Sequence, residues 1–304
     1  MKRKIISDAV TNISDKHIAE AADYAVKTKK KARIWLRWGA VAACLCLVIG
    51  IFIWQSQPQQ SEQPGIVVDE NGVTIPQINV SFGSNSEADM IPFFIYQGRV
   101  YVHDEFLYNA DSLIGDYLGT SIGTIDEWTA KDGYVDFAGS VKGDFYSVNG
   151  YAPSFMLCMK NEDNSIATYV NNNGITLKYG SELFEERLHL SENYASVKYQ
   201  TRYDWYNSIG EPIPLEGHTE EVESFVEALK TAEFMRLSDI PLEEGETSVY
   251  DSKEIYHLFF EMENGMVIHL RLFEGGYVNF DGINGVCVKM DEKVFENLVK
   301  VLDS

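Results

Sequence analysis

The chain has 304 residues, 45% of them hydrophobic and 23% charged, an ordinary globular composition that excludes collagen-like, disordered and disulfide-scaffold classes. The net charge of −21 is unevenly spread: residues 1–37 hold ten Lys/Arg against four Asp/Glu, which leaves 15 basic and 42 acidic side chains for the rest. So acidic a body repels phosphate backbones and anionic headgroups, which excludes nucleic acid as its partner.

Residues 1–33 carry two apolar stripes at helical spacing, Ile5, Ile6, Ala9, Val10 and Ile13, then Ile18, Ala21, Ala22, Ala25 and Val26. Ser14 is placed to cap the second, with Asp15 in its first turn. Two such short helices cannot bury a core of their own. They are expected either to lie on lipid through the neighbouring Lys/Arg cluster or to dock on a cytoplasmic protein partner.

From Trp38 to Trp54, seventeen residues carry no charge and no polar side chain other than two thiols, and Lys29, Lys30, Lys31, Arg33 and Arg37 precede them. Extended back to Ile34, the stretch predicts a transmembrane helix over 34–54, about 31 Å long against a hydrocarbon core of about 30 Å. Arg37 snorkels to the headgroups and Trp35, Trp38 and Trp54 fall at the interfaces. A cleaved signal peptide and lipidation at Cys44, after Val41-Ala42-Ala43, are the rival readings. The late start of the apolar run argues against the first. The length of apolar chain after Cys44 argues against the second. The basic flank places residues 1–33 in the cytoplasm and the remainder outside the cell membrane.

Residues 55–64, QSQPQQSEQP, contain no aliphatic or aromatic side chain and read as a flexible linker. Two extracytoplasmic domains are expected after it, a β-rich one over 65–210 and an α+β one over 211–304. Turn residues such as Asn71-Gly72, Gln97-Gly98, Asn149-Gly150 and Asn264-Gly265 punctuate short aromatic and β-branched runs. Strands are predicted at 93–96, 99–102, 134–138, 144–148, 155–159, 166–170 and 195–203, with short helices at 109–118 and 181–188. The last part predicts a helix over 219–231, a four-stranded meander at 254–261, 266–273, 277–280 and 286–290, and a closing helix over 291–302. The fold class is therefore α+β, one N-terminal span followed by a β-rich region and a helix, four-stranded meander, helix unit.

Motifs for catalysis are missing: no Gly-x-Ser-x-Gly elbow, no His-Glu-x-x-His helix, no phosphate loop and no paired Cys-x-x-Cys. No catalytic residue, cofactor or metal ligand is nominated. His103-Asp104-Glu105 sets possible ligands side by side. Neighbours on an extended segment face opposite ways, so at most His103 and Glu105 could share an ion, and a solvated turn is the favoured reading. His257 and His269 lie on the two strands of the Asn264-Gly265 hairpin. A two-residue turn there sets Phe260 opposite His269 and Leu272 opposite His257, which separates the histidines. Acidic pairs such as Glu162-Asp163, Glu185-Glu186, Glu220-Glu221 and Glu243-Glu244 lack the spacing of a Ca²⁺ loop and read as solvated. Cys158 and Cys287 sit in apolar strands, where buried free thiols are favoured over a disulfide. Tyr199, Tyr203, Trp205 and Tyr206 form an aromatic cluster read first as core and second as a ligand- or partner-contacting platform.

Three stretches, ISDAVTNISDKHIAEAADY, RWGAVAACLCLVIG and GDFYSVNGYAPSFMLCMKNEDNSIATYVNNNGITLKYGSELFEERLHL, resemble uncharacterised single-pass membrane-anchored proteins of anaerobic Gram-positive bacteria. The resemblance extends through IPFFIYQGRVYV and LGTSIGTIDEW to about Tyr206. It implies an anchored extracytoplasmic domain and supplies no catalytic residues. The layout is also loosely similar to membrane-bound anti-sigma factors, although the tail is shorter and lacks a His/Cys zinc cluster. The reading is a non-enzymatic binding or sensing module meeting a cell-envelope ligand, with signalling to a cytoplasmic partner as its extension. The alternative is a cell-wall-active hydrolase using an acidic pair.

Overall fold

Short runs of aromatic and β-branched residues between Gly- and Asn-rich turns fold as strands, and the chain is a β-rich α+β fold with few helices and several sheets. The structure, a computed structural model, describes residues 65–76, 92–123, 136, 138–171, 173–191 and 194–304. The expected tail, span and linker over 1–64 lie outside the described residues, with Trp35, Arg37, Trp38 and Trp54, and so does most of the strand expected at 134–138. Among the described residues no helix is long and apolar enough to cross a membrane.

The first part supplies β1 (Val67–Asp69), β2 (Gly72–Ile75), β3 (Phe93–Tyr96), β4 (Arg99–Leu107), β5 (Ile114–Ile122), β6 (Lys142–Val148), β7 (Met156–Lys160), β8 (Ile166–Asn171) and β9 (Ile175–Leu177). They form a three-stranded sheet, β1-β2-β9, and a six-stranded sheet, β3-β4-β8-β7-β6-β5, antiparallel throughout. Period-two alternation splits the six-stranded sheet between two cores. Met156, Cys158, Ile166 and Val170 join the large cluster, while Leu157, Met159, Ala167 and Tyr169 pack with Phe94, Tyr101 and Phe145.

The second part supplies β10 (Tyr194–Thr201), α1 (Arg202–Tyr206), β11 (Ile213–Pro214), α2 (Thr219–Thr231), β12 (Glu233–Arg236), α3 (Val249–Ser252), β13 (Glu254–Met262), β14 (Val267–Phe273), β15 (Tyr277–Phe280), β16 (Val286–Lys289) and α4 (Glu292–Leu302). Its seven-stranded sheet runs β11-β10-β13-β14-β15-β16-β12. On one face Leu258, Phe260, Ile268, Leu270 and Leu272 meet Phe225 and Leu229 of α2 and Phe295 and Leu298 of α4, each such burial worth roughly 1.5–3 kcal/mol. Asp291 caps α4 by accepting from Val294 N at 3.1 Å. Strand β10 precedes residue 210 and pairs with β13 beyond it, so this sheet draws on both sides of that point, and one core runs from Val73 to Leu302 within the compact unit Glu62–Ser304.

Three predicted elements change. The helix expected at 109–118 is a single 3₁₀ turn, Asp111–Leu113, after which the chain enters β5 and pairs with β6. Tertiary pairing outweighs a weak local helical preference there. The strand expected at 195–203 stops at Thr201, whose Oγ1 accepts from Asp204 N at 3.1 Å and starts α1. At 181–188 a π-helical turn over Ser181–Glu185 is followed by turns, with Leu183, Phe184 and Leu188 buried.

Candidate functional site

The second face of the seven-stranded sheet is polar where it is most enclosed. Gln200, His257, Arg271 and Asn279 are cross-strand partners in one row over β10, β13, β14 and β15. The Gln200, His257 and Asn279 residues are all below 6% exposed. A row of buried polar groups costs desolvation that apolar side chains would avoid. Its presence therefore asks for a role other than stability.

The hairpin register builds this row. The turn between β13 and β14 holds three residues, Glu263, Asn264 and Gly265, closed by Met262 N to Met266 O at 2.8 Å, with Gly265 N donating to Met262 O at 2.9 Å. Gly265 has φ 91°, the left-handed geometry that ends a three-residue hairpin loop. The partners are therefore His257 with Arg271 and Phe259 with His269, one residue away from the register that a two-residue turn would give. A one-residue slip exchanges the faces of a strand. The expected separation of the histidines is thus corrected: they share a face, and His257 Nδ1 lies 2.8 Å from His269 Nε2.

A second irregularity brings in carboxylates from the other sheet. Between β4 and β8 the pairing passes from His103 with Tyr169 to Phe106 with Ala167, so Asp104 and Glu105 together oppose Thr168. Such a bulge breaks side-chain alternation and re-aims what it carries. The expected solvated turn at 103–105 is instead this bulged strand. Thr168 Oγ1 accepts from Glu105 N at 3.1 Å and lies 3.4 Å from Asp104 Oδ2. Glu105 reaches His269 rather than sharing an ion with His103, whose ring packs on Phe106 and Tyr169.

His269 Nδ1 lies 3.2 Å from Glu105 Oε1 and 3.5 Å from Asp281 Oδ2, aligned with neither for a hydrogen bond. These three ligand atoms are within 4.8 Å of one another. Asp281 follows β15 directly and is fixed by donation from its own N to His269 O at 3.0 Å. Arg271 closes the other side, with Nε and Nη2 forked on Glu254 at 2.5 and 3.0 Å and Nη1 on Asp281 at 3.1 Å. Glu254 in turn lies 3.4 Å from His257 Nε2. The result is a chain from Glu105 and Asp281 through His269 and His257 to Glu254 and Arg271.

Burial alone would lower the His269 imidazole, but the Asp281 and Glu105 carboxylates more than offset it and hold the group up at about 9. Burial, the charge on His269 and that on Arg271 push His257 down to about 3. Desolvation opposes the ionised form of Asp281, yet His269 and Arg271 keep it at about 2. Burial beside Glu105 and Asp281 drives Asp104 well above the carboxylate range. The charged His269 thus donates through Nε2–H to a neutral His257, the assignment consistent with these environments.

Short α1 covers this network. The Trp205 ring stacks on His257 and also meets His269, each with centroids 5.0 Å apart. Tyr206 Oη donates to Glu254 Oε2 at 3.1 Å and accepts from Arg271 Nη2 at 2.6 Å. Arg202 lies over the Tyr206 ring and bonds Asp251 at 2.8 Å. Tyr203 is exposed, and Tyr199 points to the opposite face of β10 against Tyr256. Of the four aromatics singled out in the sequence, Trp205 and Tyr206 therefore reach the network. His257, His269, Glu105, Asp281, Glu254 and Arg271 were not nominated. The Thr201-x-x-Asp204 spacing was the one readable sign that the aromatic run leaves the strand there.

Cys158 and Cys287 are free and buried, and burial pushes each thiol up to about 12. A separate open cavity of about 510 Å³ is lined by Ser191, Tyr194, Glu223, Glu227 and Lys230. Its one cation, Lys230, is paired with Glu227 at 2.8 Å and Glu185 at 3.6 Å. Comparison with protein-family models, with curated proteins and with solved structures finds no match for this chain.

Proposed function

We propose that this chain is a membrane-anchored extracytoplasmic protein that binds or senses a small ligand rather than turning one over. The apolar, Trp-bordered sequence over 34–54 with its basic flank supports the anchor. The corresponding layout is a single N-terminal transmembrane helix, a β-rich region and a C-terminal helix, four-stranded meander, helix unit. The resemblance to anchored proteins of anaerobic Gram-positive bacteria supports the same layout. The tail over 1–33 then faces the cytoplasm, free to dock on a protein partner in the manner of an anti-sigma factor, and the acidic body meets cell-envelope or external ligands.

One observation carries the binding reading: the His269 side chain is 1% exposed, while the Glu105 and Asp281 carboxylates above it are 22% and 32% exposed. A buried imidazole beneath two carboxylates that reach solvent forms a small polar receptacle. Protease shaving of intact cells, followed with antibodies to each end, tests the anchor. Loss of the C-terminal epitope with retention of the N-terminal one is expected, and the full-length chain in the soluble fraction would overturn it.

A glycan-cleaving reading has its own observation, because Asp104 is held towards its neutral form and Asp281 towards its ionised form within one cluster, the division of labour of an acid and a base. Enclosure favours the binding reading over it. Asp104 Oδ1 is enclosed, and a Cβ built on Gly282 would come within 2.6 Å of it, which leaves that acid little room to meet a sugar. Incubation of the protein with cell-wall glycan is expected to release no reducing ends. Release that is lost in Asp104→Asn would restore the hydrolase.

A further inference from the structure

We infer that Glu105, His269 and Asp281 form a binding site for one divalent transition-metal ion, with Zn²⁺ as the best-matched species. The inference rests on the binding reading above and gives its ligand a chemical class. The His269 Nδ1 atom stands 3.2 Å from Glu105 Oε1 and 3.5 Å from Asp281 Oδ2. Ligand atoms about 2.0–2.1 Å from a tetrahedral ion sit roughly 3.3–3.4 Å from each other, so both separations are edges of such a polyhedron. Hydrogen-bond alignment is missing on Nδ1, which is enclosed yet faces both carboxylates. An ion placed between the three atoms would satisfy it.

The surroundings suit a metal as well as the ligands do. Metal-bound imidazoles characteristically give their second ring nitrogen to a fixed acceptor. His269 Nε2 does so to His257 Nδ1 at 2.8 Å, and His257 Nε2 is backed by Glu254 at 3.4 Å. Asp281 is oriented by Arg271 Nη1 at 3.1 Å and Glu105 by Thr168 through its backbone. Once the ion displaces the proton on His269 Nδ1, two carboxylates and a neutral imidazole carry the charge that a divalent ion cancels. One nitrogen and two oxygens form a borderline donor set that suits Zn²⁺ better than Ca²⁺, which wants six to eight oxygens. The partial exposure of Glu105 and Asp281 leaves a side for entry and for water to complete the coordination.

The test uses the full-length chain in detergent micelles, stripped with chelator and titrated calorimetrically with Zn²⁺, with Co²⁺ as a spectroscopic probe. One ion per chain is expected, along with a Co²⁺ spectrum and a change in Trp205 emission that Trp205→Phe removes. Glu105→Gln is the cleanest variant, because its carboxylate makes no other side-chain pairing in the site; Asp281→Asn is the second. Each is expected to weaken binding by at least about tenfold while circular dichroism stays that of the wild type. A folded wild-type chain that takes up no ion, affinity unchanged in both variants, or Ca²⁺ displacing Zn²⁺ at equal concentration would each overturn the assignment. Shaving and glycan release report separately on the anchor and on the absence of hydrolysis, so failure of the metal is distinguishable from failure of the binding reading.

Discussion

His257 Nδ1 and His269 Nε2 lie 2.8 Å apart across the β13–β14 hairpin, which makes two residues twelve positions apart a single hydrogen-bonded unit. Among the described residues neither of the two bonded nitrogens has another hydrogen-bond partner, and both side chains are 1% exposed. Removing one partner leaves the other's polar atom buried and unsatisfied, a loss of about 1–3 kcal/mol. His257→Leu is therefore expected to lower the urea unfolding midpoint by the equivalent of that amount. An unchanged midpoint would show the bond to be energetically idle.

The same pair gives a pH signature in chelator-treated protein. His269 is held at about 9 against 6.5 for an unperturbed imidazole, so its contribution is complete below pH 6.5 and is lost as pH rises through 9. His257 runs the other way: buried neutral at about 3, it favours the fold fully above pH 6.5 and loses that contribution as pH falls towards 3. Asp281, at about 2 against 3.8, contributes above pH 3.8 and loses its part as pH falls through 2. Stability from this cluster should therefore be highest near pH 6.5, declining towards pH 9 as His269 loses its contribution and towards pH 3 as His257 loses its own. In urea melts, the advantage of wild type over His269→Gln is expected to shrink from pH 7.5 to pH 10 by an amount on the order of 1 kcal/mol or more. A constant advantage across that interval would contradict the assignment.

Asp104 should be a liability at neutral pH. Its carboxyl is lifted well above the usual range by desolvation and by Glu105 and Asp281, and its enclosed Oδ1 has no hydrogen-bond partner among the described residues. Asp104→Asn keeps the shape and an oxygen for Thr168 while removing the ionisation. The variant is expected to melt at or above the wild-type temperature at pH 8, with the difference narrowing towards pH 4. Scanning calorimetry at the two pH values measures it, and a variant less stable at pH 8 would be evidence of a charge that the fold needs.

Cys158 and Cys287 should behave as inert hydrophobes. Both are free, fully enclosed and pushed up to about 12 by burial, and the thiolate is the reactive form. Iodoacetamide at pH 8 is expected to leave both unmodified in the native protein and to label both in guanidinium, as peptide mapping would report. Native labelling of either would mean that its strand opens far more easily than its packing implies.

The elements that periodicity announces are well matched, most closely α2 and the strands of the meander, whose apolar faces the sequence spells out at 3.6 and 2.0 residue periods. The candidate site was not legible, for two local reasons. Asn264-Gly265 marks a turn but does not say whether two or three residues close it, and that single residue decides which face carries His269. The bulge at Asp104-Glu105 is specified by pairing with Thr168 on a strand more than sixty positions away, so regular alternation was the natural reading and the wrong one. Trp205 and Tyr206 were visible as a cluster, whereas the polar groups beneath them come from strands that only the tertiary fold brings together.

The bulge in β4 has a mechanical corollary. Glu105 belongs to the six-stranded sheet, while His269 lies in the seven-stranded one and Asp281 directly follows its strand β15. Whatever sits among the three is a rivet driven through the seam between two otherwise separately woven layers. Filling that single point would add one cross-tie to layers that already share a hydrophobic core.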